Sequence, residues 1–276
     1  MFLKLNNDYL IPQLAVGTWK IQDQDTLSEI LDEALKLGIT HVDTAKCYEN
    51  EHLIGNWLIN QKREDIFLTS KLWNDNHDDV AKALDKSLEK LKTNYLDLYL
   101  IHWPVNFNGV FDLEHVWKQM EKLVEMKKVR SIGVSNFGIK NLTKLLSFCK
   151  IKPVVNQIEI HPYFPQYEVR EFCKKANIVV EAYSPFGSGG HNNINLLKDE
   201  TINKIAQEHS KSPHQVILSF LLGEELVVIP KTSSKKHLKQ NSELIELKKH
   251  EIQAIKDIEI RCKFIDPSSF GKNRFD

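Results

Sequence analysis

Residues 14–43 read LAVGTWKIQDQDTLSEILDEALKLGITHVD, and this stretch predicts a strand, a helix and a second strand in succession. The strands are predicted at residues 14–16 and 40–43. Between them, residues 26–37 carry apolar side chains at helical spacing, namely Leu27, Ile30, Leu31, Ala34 and Leu35. Gly38 follows directly, and glycine commonly ends a helix. A helix that connects two strands in this way is typical of a sheet with parallel strands.

The alternation of strand and helix continues to the end of the chain. Further strands are predicted at residues 66–71, 95–102, 129–134, 154–158, 178–183 and 226–229. Further helices are predicted at residues 51–60, 79–91, 113–127, 140–148, 168–176, 201–209, 214–222 and 251–260. Eight such units form a closed barrel more often than an open sheet. We therefore expect an α/β protein with a single (β/α)8 TIM barrel domain over residues 1–276.

A short segment before the first unit predicts a separate β-hairpin. Residues 3–5 and 10–12 are apolar runs that flank the turn sequence Asn6-Asn7-Asp8. We expect this N-terminal hairpin to lie at the bottom of the barrel.

The charge of the chain is balanced, with 37 Lys plus Arg and 37 Asp plus Glu among 276 residues. This balance leaves no field that attracts nucleic acid or an anionic membrane, so neither is an expected partner. No apolar run is long enough to span a bilayer, and the early acidic residue Asp8 argues against a signal peptide. The four cysteines are scattered without metal-ligand spacing, which predicts reduced thiols, no metal site and a cytoplasmic protein.

Polar residues stand at the ends of the predicted strands, where function gathers in a barrel of this kind. Asp43, Lys71 and His102 end strands two, three and four. Each by itself could be an ordinary strand-end residue, but the three together point into one cavity. A buried Lys–Asp pair is tolerable there, whereas a lone buried charge is costly. The sequence therefore predicts a polar site at this face of the barrel.

Five motifs resemble signatures of the aldo-keto reductase family and occur in that family's order. They are DTAKCYENE at 43–51, TSKLW at 69–73, LYLIHWP at 98–104, IGVSNF at 132–137 and IPKT at 229–232. With Gly17-Thr18-Trp19 and Asn241, the resemblance covers nearly the whole chain. The chain is similar to the short-tailed, prokaryotic and protist kind of member.

The resemblance implies NADPH-dependent reduction of aldehydes or ketones with a catalytic tetrad of Asp43, Tyr48, Lys71 and His102. Hydride addition leaves an alkoxide that needs a proton, and Tyr48 is the implied general acid. Lys71 is expected to lower the pKa of Tyr48 through its positive charge, and Asp43 to hold and neutralise the lysine. His102 is expected to orient the carbonyl oxygen.

The resemblance also assigns the cofactor contacts. Ser135, Asn136 and Gln157 match the residues that hydrogen-bond the nicotinamide amide, and Tyr183 matches the aromatic residue that stacks on its ring. Ser184 begins the loop expected over the pyrophosphate. The other cofactor-binding residues implied are Thr18, Trp19, Lys231, Thr232, Ser233, His237 and Asn241, with Lys231 to Ser233 receiving the 2′-phosphate.

One cofactor position departs from the family pattern. His237 stands where the family usually has an arginine, six residues after Lys231. Because histidine lacks the permanent charge of arginine, we expect NADPH to be preferred less strictly, with NADH as a weaker alternative.

The sequence says less about the substrate pocket than about the cofactor contacts. Trp19, Trp73 and Trp103 resemble its apolar walls. In the aldo-keto reductase family the C-terminal tail closes this pocket. Here the tail is short, residues 262–276 with Phe264, Phe270 and Phe275, so the resemblance implies an open site for a small-molecule carbonyl substrate. The family resemblance favours a monomer.

Two other functions compete with this interpretation. The first is a non-catalytic nicotinamide-binding barrel, like the potassium-channel β subunits, which the intact tetrad and the absence of a long N-terminal extension disfavour. The second is a phosphate-binding isomerase or aldolase with Lys71 as Schiff-base former. That function leaves Tyr48 and Tyr183 without a role.

Overall fold

Eight parallel strands form the centre of the computed structural model, which describes residues 1–107, 110–189 and 194–266. The strands are β3 (Ala15–Gly17), β4 (His41–Asp43), β5 (Phe67–Leu72), β6 (Leu96–Ile101), β7 (Val129–Ser135), β8 (Val155–Glu159), β9 (Val179–Tyr183) and β10 (Val227–Ile229). Each strand pairs with the next, and bridges from Leu14 to Val228 and from Gly17 to Lys231 join the two outer strands. The sheet is therefore closed, and the predicted (β/α)8 TIM barrel is confirmed.

Helices cover the outside of the barrel. Those in the described part of the chain are α1 (Gln24–Lys36), α2 (Glu51–Leu58), α3 (Val80–Leu91), α4 (Leu113–Glu125), α5 (Ile139–Leu146), α6 (Tyr167–Ala176), α7 (Glu200–Glu208), α8 (Pro213–Gly223), α9 (Lys235–Ser242) and α10 (Lys249–Lys256). The first of them begins at Asp23, whose carboxylate caps the Thr26 N–H. It ends just before Gly38, which has the left-handed φ of 75° that glycine accepts most easily.

The apolar core has two layers because side chains alternate along each strand. Tyr99 and Ile101 of β6 pack outward against the helices, in the larger cluster of buried side chains. Leu98 and Leu100 of the same strand pack inside the barrel in a smaller cluster. The same alternation turns His102 inward at the upper end of this strand.

The N-terminal hairpin closes the lower end of the barrel. Its strands are β1 (Phe2–Lys4) and β2 (Leu10–Pro12), which pair antiparallel. Ile11 packs into the inner cluster. The Asn6 side chain donates to the backbone carbonyls of Pro153 and Asn177, at 2.9 and 3.0 Å, just before β8 and β9 begin. The predicted position of the hairpin is thus confirmed.

Helix α9 is the one α-helix of the described chain that the sequence pattern did not predict. Its sequence, KKHLKQNS, is polar on nearly every side, so it shows no apolar period. Two tertiary features hold it: buried Leu238, and the Ser234 side chain, which accepts the His237 N–H at the helix start. Its beginning lies directly after Lys231, Thr232 and Ser233.

Within residues 1–107, 110–189 and 194–266, no helix has both the length and the apolar character that crossing a membrane requires. The same residues contain no group of three or more His, Cys, Asp or Glu side chains placed to hold a metal ion. Phe270 and Phe275 of the tail lie outside the described residues.

Candidate active site

The predicted tetrad comes together at the carboxyl ends of three adjacent strands. Asp43 is the last residue of β4, Lys71 is the second-last residue of β5, and His102 directly follows β6. Tyr48 ends a single 3-10 turn, residues 46–48, that follows β4. Because parallel strands end at the same edge of the barrel, these side chains lie together, although Asp43 and His102 are 59 positions apart in the chain.

Lys71 is fully buried and held by a dense set of oxygen atoms. Its ammonium donates to both carboxylate oxygens of Asp43, at 2.7 and 2.8 Å, and to the backbone carbonyl of Thr44 at 2.9 Å. It also lies 3.4 Å from the hydroxyl oxygen of Tyr48. Burial is the largest single influence and favours the neutral amine, but the charge and hydrogen bonds of Asp43, together with the nearby Tyr48 and Glu181, outweigh it and raise the pKa of Lys71. The lysine is therefore a permanent cation beside Tyr48.

Lys71 lowers the pKa of Tyr48 as expected, but burial has a larger effect in the opposite direction. Burial is the largest influence and raises the pKa of Tyr48 to about 12, because a phenolate loses its hydration in the barrel. Lys71 lowers this pKa, as expected, but its charge is partly cancelled by the nearby Asp43. Tyr48 is consequently a firmly protonated hydroxyl group at neutral pH.

His102 is buried among aromatic rings on the cavity wall. Its ring meets Trp73 edge-on, with 5.0 Å between ring centres, and Tyr48 edge-on at 5.9 Å. Its Nδ1 atom lies 3.6 Å from Sγ of Cys47. Burial and, after it, the charge of Lys71 lower the pKa of His102 well below its ordinary value. The imidazole is therefore neutral at physiological pH.

A hydrogen-bonded group of predicted cofactor residues lies beside His102. The Tyr183 hydroxyl donates to Oδ1 of Asn136 at 2.7 Å, and Nδ2 of Asn136 donates to the backbone carbonyl of His102 at 3.0 Å. The Ser135 hydroxyl donates to the backbone carbonyl of Gln157 at 2.8 Å. Asn136 has a left-handed φ of 63°, which asparagine tolerates better than most residues. This group joins the ends of β7, β8 and β9 to the tetrad.

Gln157 connects the tetrad to Glu181, a buried residue that the sequence pattern did not single out. Its Nε2 donates to Oδ2 of Asp43 at 3.0 Å and to Oε2 of Glu181 at 2.7 Å. Both amide hydrogens are thus used, which leaves the amide oxygen of Gln157 for a ligand. Burial and the charge of Asp43 raise the pKa of Glu181 to about 8. Glu181 lies two residues before Tyr183 on β9, so the two side chains face the same side of the strand. This spacing is the sequence signal that could have identified Glu181.

A cavity of about 520 Å³ opens above these residues. Its lining includes predicted residues from every group: Asp43, Tyr48 and His102, the pocket residues Trp19, Trp73 and Trp103, and the cofactor residues Thr18, Asn136, Gln157, Tyr183, Ser184 and Lys231. Lys71 and Ser135 lie just behind this surface and are buried. Three residues of the tetrad and most of the predicted binding residues therefore line one cavity.

The residues predicted for the 2′-phosphate end of the cofactor are only partly brought together at this cavity. Lys231 is exposed and lines the cavity, and within the described ranges its amine forms no ion pair. Thr232 is buried and accepts the Ser234 N–H at 3.0 Å. The lining, as far as the chain is described, does not include Thr232, Ser233, His237 or Asn241. Ser233 and His237 are exposed, and Asn241 is buried on α9.

His214 is a further lining residue that the sequence pattern missed. It stands in the first turn of α8, and its ring meets Phe186 edge-on at 4.6 Å between ring centres. It stacks nearly parallel to His237, at 6.4 Å. Burial and, less strongly, His237 lower the pKa of His214. A single histidine at a helix start gives no sequence signal of its position, so only the packing reveals it.

The end of the described chain also reaches the cavity. Glu159, the last residue of β8, accepts the backbone N–H groups of Phe264 at 2.6 Å and Ile265 at 3.1 Å. Ile265 lines the cavity, and Phe264 packs over Gly187, where a Cβ atom would lie 2.6 Å from its ring. A buried carboxylate therefore anchors the segment that covers one side of the site.

Comparison with known proteins agrees with this architecture. Residues 13–260 match the sequence model of the Aldo/keto reductase family. An aldose reductase of Encephalitozoon cuniculi is 41% identical over 294 residues, covering 99% of this chain and 98% of that protein. The NAD(P)H-dependent D-xylose reductase of Scheffersomyces stipitis is 39% identical over 311 residues, covering 98% of each. The crystal structure of an aldo-keto reductase of Bombyx mori in complex with NADP has a TM-score of 0.91 and 33% identity, covering 99% of this chain and 97% of that chain.

Proposed function

Since the chain belongs to the aldo/keto reductase family, we propose that it reduces aldehydes or ketones to alcohols by hydride transfer from NADPH. The relatives named as an aldose reductase and an NAD(P)H-dependent D-xylose reductase support this activity, as does the NADP complex of the Bombyx mori protein. The observation that carries the proposal is the buried Asp43–Lys71 pair, whose ammonium lies 3.4 Å from the Tyr48 hydroxyl at the cavity.

The cavity residues fit a nicotinamide dinucleotide phosphate. The uncommitted amide oxygen of Gln157 suits the nicotinamide amide, and the ring of Tyr183 offers a flat stacking surface. Lys231, beside the beginning of α9, suits the 2′-phosphate, because a cation and a helix N-terminus both favour an anion. NADH lacks this phosphate and is the weaker alternative. When bound, NADPH supplies the hydride that reduces the carbonyl carbon.

Tyr48 is the residue suited to protonate the carbonyl oxygen. An alkoxide is far more basic than a phenolate, so a tyrosine with a pKa of about 12 can still donate its proton to it. Lys71 stabilises the phenolate that remains, and Asp43 keeps the lysine charged and in place. The contacts support one role for each residue in this proposal: Tyr48 donates the proton, Lys71 stabilises the phenolate, and Asp43 positions the lysine.

His102 and the tryptophans are suited to position the substrate. A neutral imidazole can donate one hydrogen bond to the carbonyl oxygen without competing as an acid. Trp19, Trp73 and Trp103 give the cavity an apolar wall for the rest of the substrate.

The Schiff-base alternative fits the geometry poorly. A nucleophilic lysine needs a neutral amine. Lys71 instead has a raised pKa and donates to Asp43 and Thr44.

The direct test is turnover of a panel of aldehydes and ketones, followed by the loss of reduced-nicotinamide absorbance with NADPH and with NADH. Tyr48→Phe is the matched control because it removes one hydroxyl group and keeps the ring. We expect this variant to bind cofactor normally and to lose about 100- to 10,000-fold in kcat, the usual contribution of one general acid. Retention of more than a third of the wild-type kcat would exclude Tyr48 as the acid. Cofactor binding without turnover of any carbonyl would favour the non-catalytic alternative.

A further inference from the structure

Cys47 contacts His102 from inside the cavity. Its Sγ lies 3.6 Å from Nδ1 of His102, within hydrogen-bonding distance for sulfur, and both residues line the cavity. Cys47 directly precedes Tyr48 in the same 3-10 turn, so the backbone that positions the tyrosine also positions the thiol. The function derived above gives this cysteine no role.

The direction of this hydrogen bond follows from the chemistry of the two groups. An imidazole nitrogen is a much better acceptor than a thiol sulfur, which favours S–H donating to Nδ1 over N–H donating to sulfur. Burial raises the pKa of the Cys47 thiol to about 12, so the sulfur keeps its hydrogen. His102 is neutral and carries one ring proton, since burial and Lys71 lower its pKa. The hydrogen bond therefore joins a neutral thiol, as donor, to a neutral imidazole, as acceptor.

We propose that Cys47 is a positioning residue whose thiol donates to Nδ1 of His102 and so places the ring proton of His102 on Nε2. Which nitrogen of a neutral histidine is protonated depends on the hydrogen bond made by the other nitrogen. With Nδ1 engaged by the thiol, Nε2–H is the group that remains to donate to a carbonyl oxygen in the cavity. In the other tautomer, an Nε2 lone pair would meet the lone pairs of that oxygen. This inference rests on the proposed function, in which His102 orients the substrate carbonyl.

The other contacts of His102 hold its position but do not choose its tautomer. Trp73 and Tyr48 meet the ring through aromatic edges. Asn136 donates to the backbone carbonyl of His102, not to its ring. Among the hydrogen bonds of the described residues, the contact with Cys47 is the one that involves a ring nitrogen of His102.

The tautomer can be measured without any turnover. Two-bond ¹H–¹⁵N correlation spectra of the histidine-labelled protein distinguish Nε2–H from Nδ1–H, and His102→Gln identifies the resonances of His102. We expect mainly the Nε2–H form in the wild type. Mainly the Nδ1–H form there would overturn the inference, whether or not the protein reduces carbonyls. Failure to turn over any carbonyl would instead contradict the proposed function and leave this measurement intact.

Substitution of Cys47 tests the cause. Cys47→Val keeps the bulk but removes the donor, and we expect a larger Nδ1–H fraction and about a twofold to tenfold loss of kcat/KM, the effect of one ordinary hydrogen bond. Cys47→Ser restores a donor, so it should have more of the Nε2–H form and a higher kcat/KM than the Val variant. A Val variant with the wild-type tautomer ratio, or a Ser variant no better than Val on both readouts, would show that the thiol only fills space.

Discussion

At the scale of single residues, the site depends on charges kept away from water. Lys71 and Asp43 are almost completely buried, and each compensates the desolvation of the other. Removing one partner leaves an unpaired buried charge, whereas removing both charges does not. The proposed mechanism needs the lysine, while stability needs only that the two charges balance. Variants can therefore separate the two requirements.

We expect Lys71→Met to lose both activity and stability. Breaking a buried ion pair from one side costs about 3–5 kcal/mol, so the melting temperature should fall by about 6–20 °C. The double variant Asp43→Asn with Lys71→Met should recover most of the melting temperature but none of the turnover. Lys118→Met, which breaks an exposed pair with Glu114, is the control and should change the melting temperature little. An unchanged melting temperature in Lys71→Met would disprove the coupling.

Glu181 gives the stability of the protein a pH dependence. Its pKa is raised to about 8 in the folded state, from an ordinary value of 4.5. At pH values below 4.5 the carboxyl group is protonated in both the folded and the unfolded state, so its titration does not change the free energy of unfolding. As pH rises toward 8, the unfolded chain releases this proton more easily than the folded protein, so the free energy of unfolding falls.

Glu181→Gln should therefore remove part of the loss of stability between pH 5 and pH 8. Chemical denaturation at several pH values measures this, with exposed Glu64→Gln as the control. If wild type and Glu181→Gln lost stability equally over that range, the carboxyl group would be ionised in the folded protein at neutral pH.

At the scale of single elements, the proposed preference for NADPH depends most on the segment that leads into α9. The helix begins beside Lys231, and Lys235 in its first turn pairs with Glu29 of α1 at 2.8 Å, whereas the amine of Lys231 lines the cavity and forms no ion pair with the described residues. His237 lies on the exposed side of its first turn, stacked on His214 of α8. A helix start and a nearby cation together form a suitable receptor for a phosphate group.

Lys231→Ala should weaken NADPH binding about tenfold to a hundredfold, the effect of one hydrogen bond to a charged group, and leave NADH binding nearly unchanged. His237→Arg should strengthen NADPH binding, since arginine keeps its charge at all relevant pH values. Lys239→Ala, in the last turn of the same helix, is the control. Fluorescence titration with both cofactors measures these affinities. An unaltered NADPH affinity in Lys231→Ala would place the 2′-phosphate elsewhere.

At the scale of the whole molecule, residues from both ends of the chain complete the site. The first and last barrel strands join near Gly17 and Lys231, and the anchor at Glu159 brings Ile265 over the cavity. The covering segment, residues 262–266, is held by the backbone N–H groups of Phe264 and Ile265 on the Glu159 carboxylate, by the Cys262 N–H on the Tyr163 carbonyl at 2.9 Å, and by packing of the Phe264 ring. Its attachment is therefore a separate, local equilibrium that can be shifted without disturbing the barrel.

Glu159→Ala should release this segment. Because hydrogen bonds to a charged group contribute about 1.5–3 kcal/mol, amide exchange at residues 262–266 should become about tenfold to a hundredfold faster. The KM of bulky carbonyl substrates should change, while cofactor affinity stays nearly constant. Glu168→Ala, at an exposed position on α6, is the control. Unchanged exchange in Glu159→Ala would mean that other contacts hold the segment.

The sequence by itself was sufficient for the barrel and for the position of the tetrad. Periods of two and 3.6 residues are local properties, and parallel strands necessarily bring their carboxyl ends to one face. The sequence alone therefore predicts that Asp43, Lys71 and His102 lie close together. The catalytic and binding roles assigned through the motifs remain predictions, which the variants above test.

Only the tertiary structure decided the electrostatics and the remaining contacts. The pKa of Tyr48 rises because burial outweighs Lys71, and burial depends on every neighbour of a residue, not on its spacing in the chain. Helix α9 lacks an apolar period and forms because Ser234 caps it and Leu238 is buried. The contacts of Cys47 with His102 and of Glu159 with Phe264 join residues 55 and 105 positions apart. Such pairs leave no trace in local periodicity, because closure of the barrel is what brings them together.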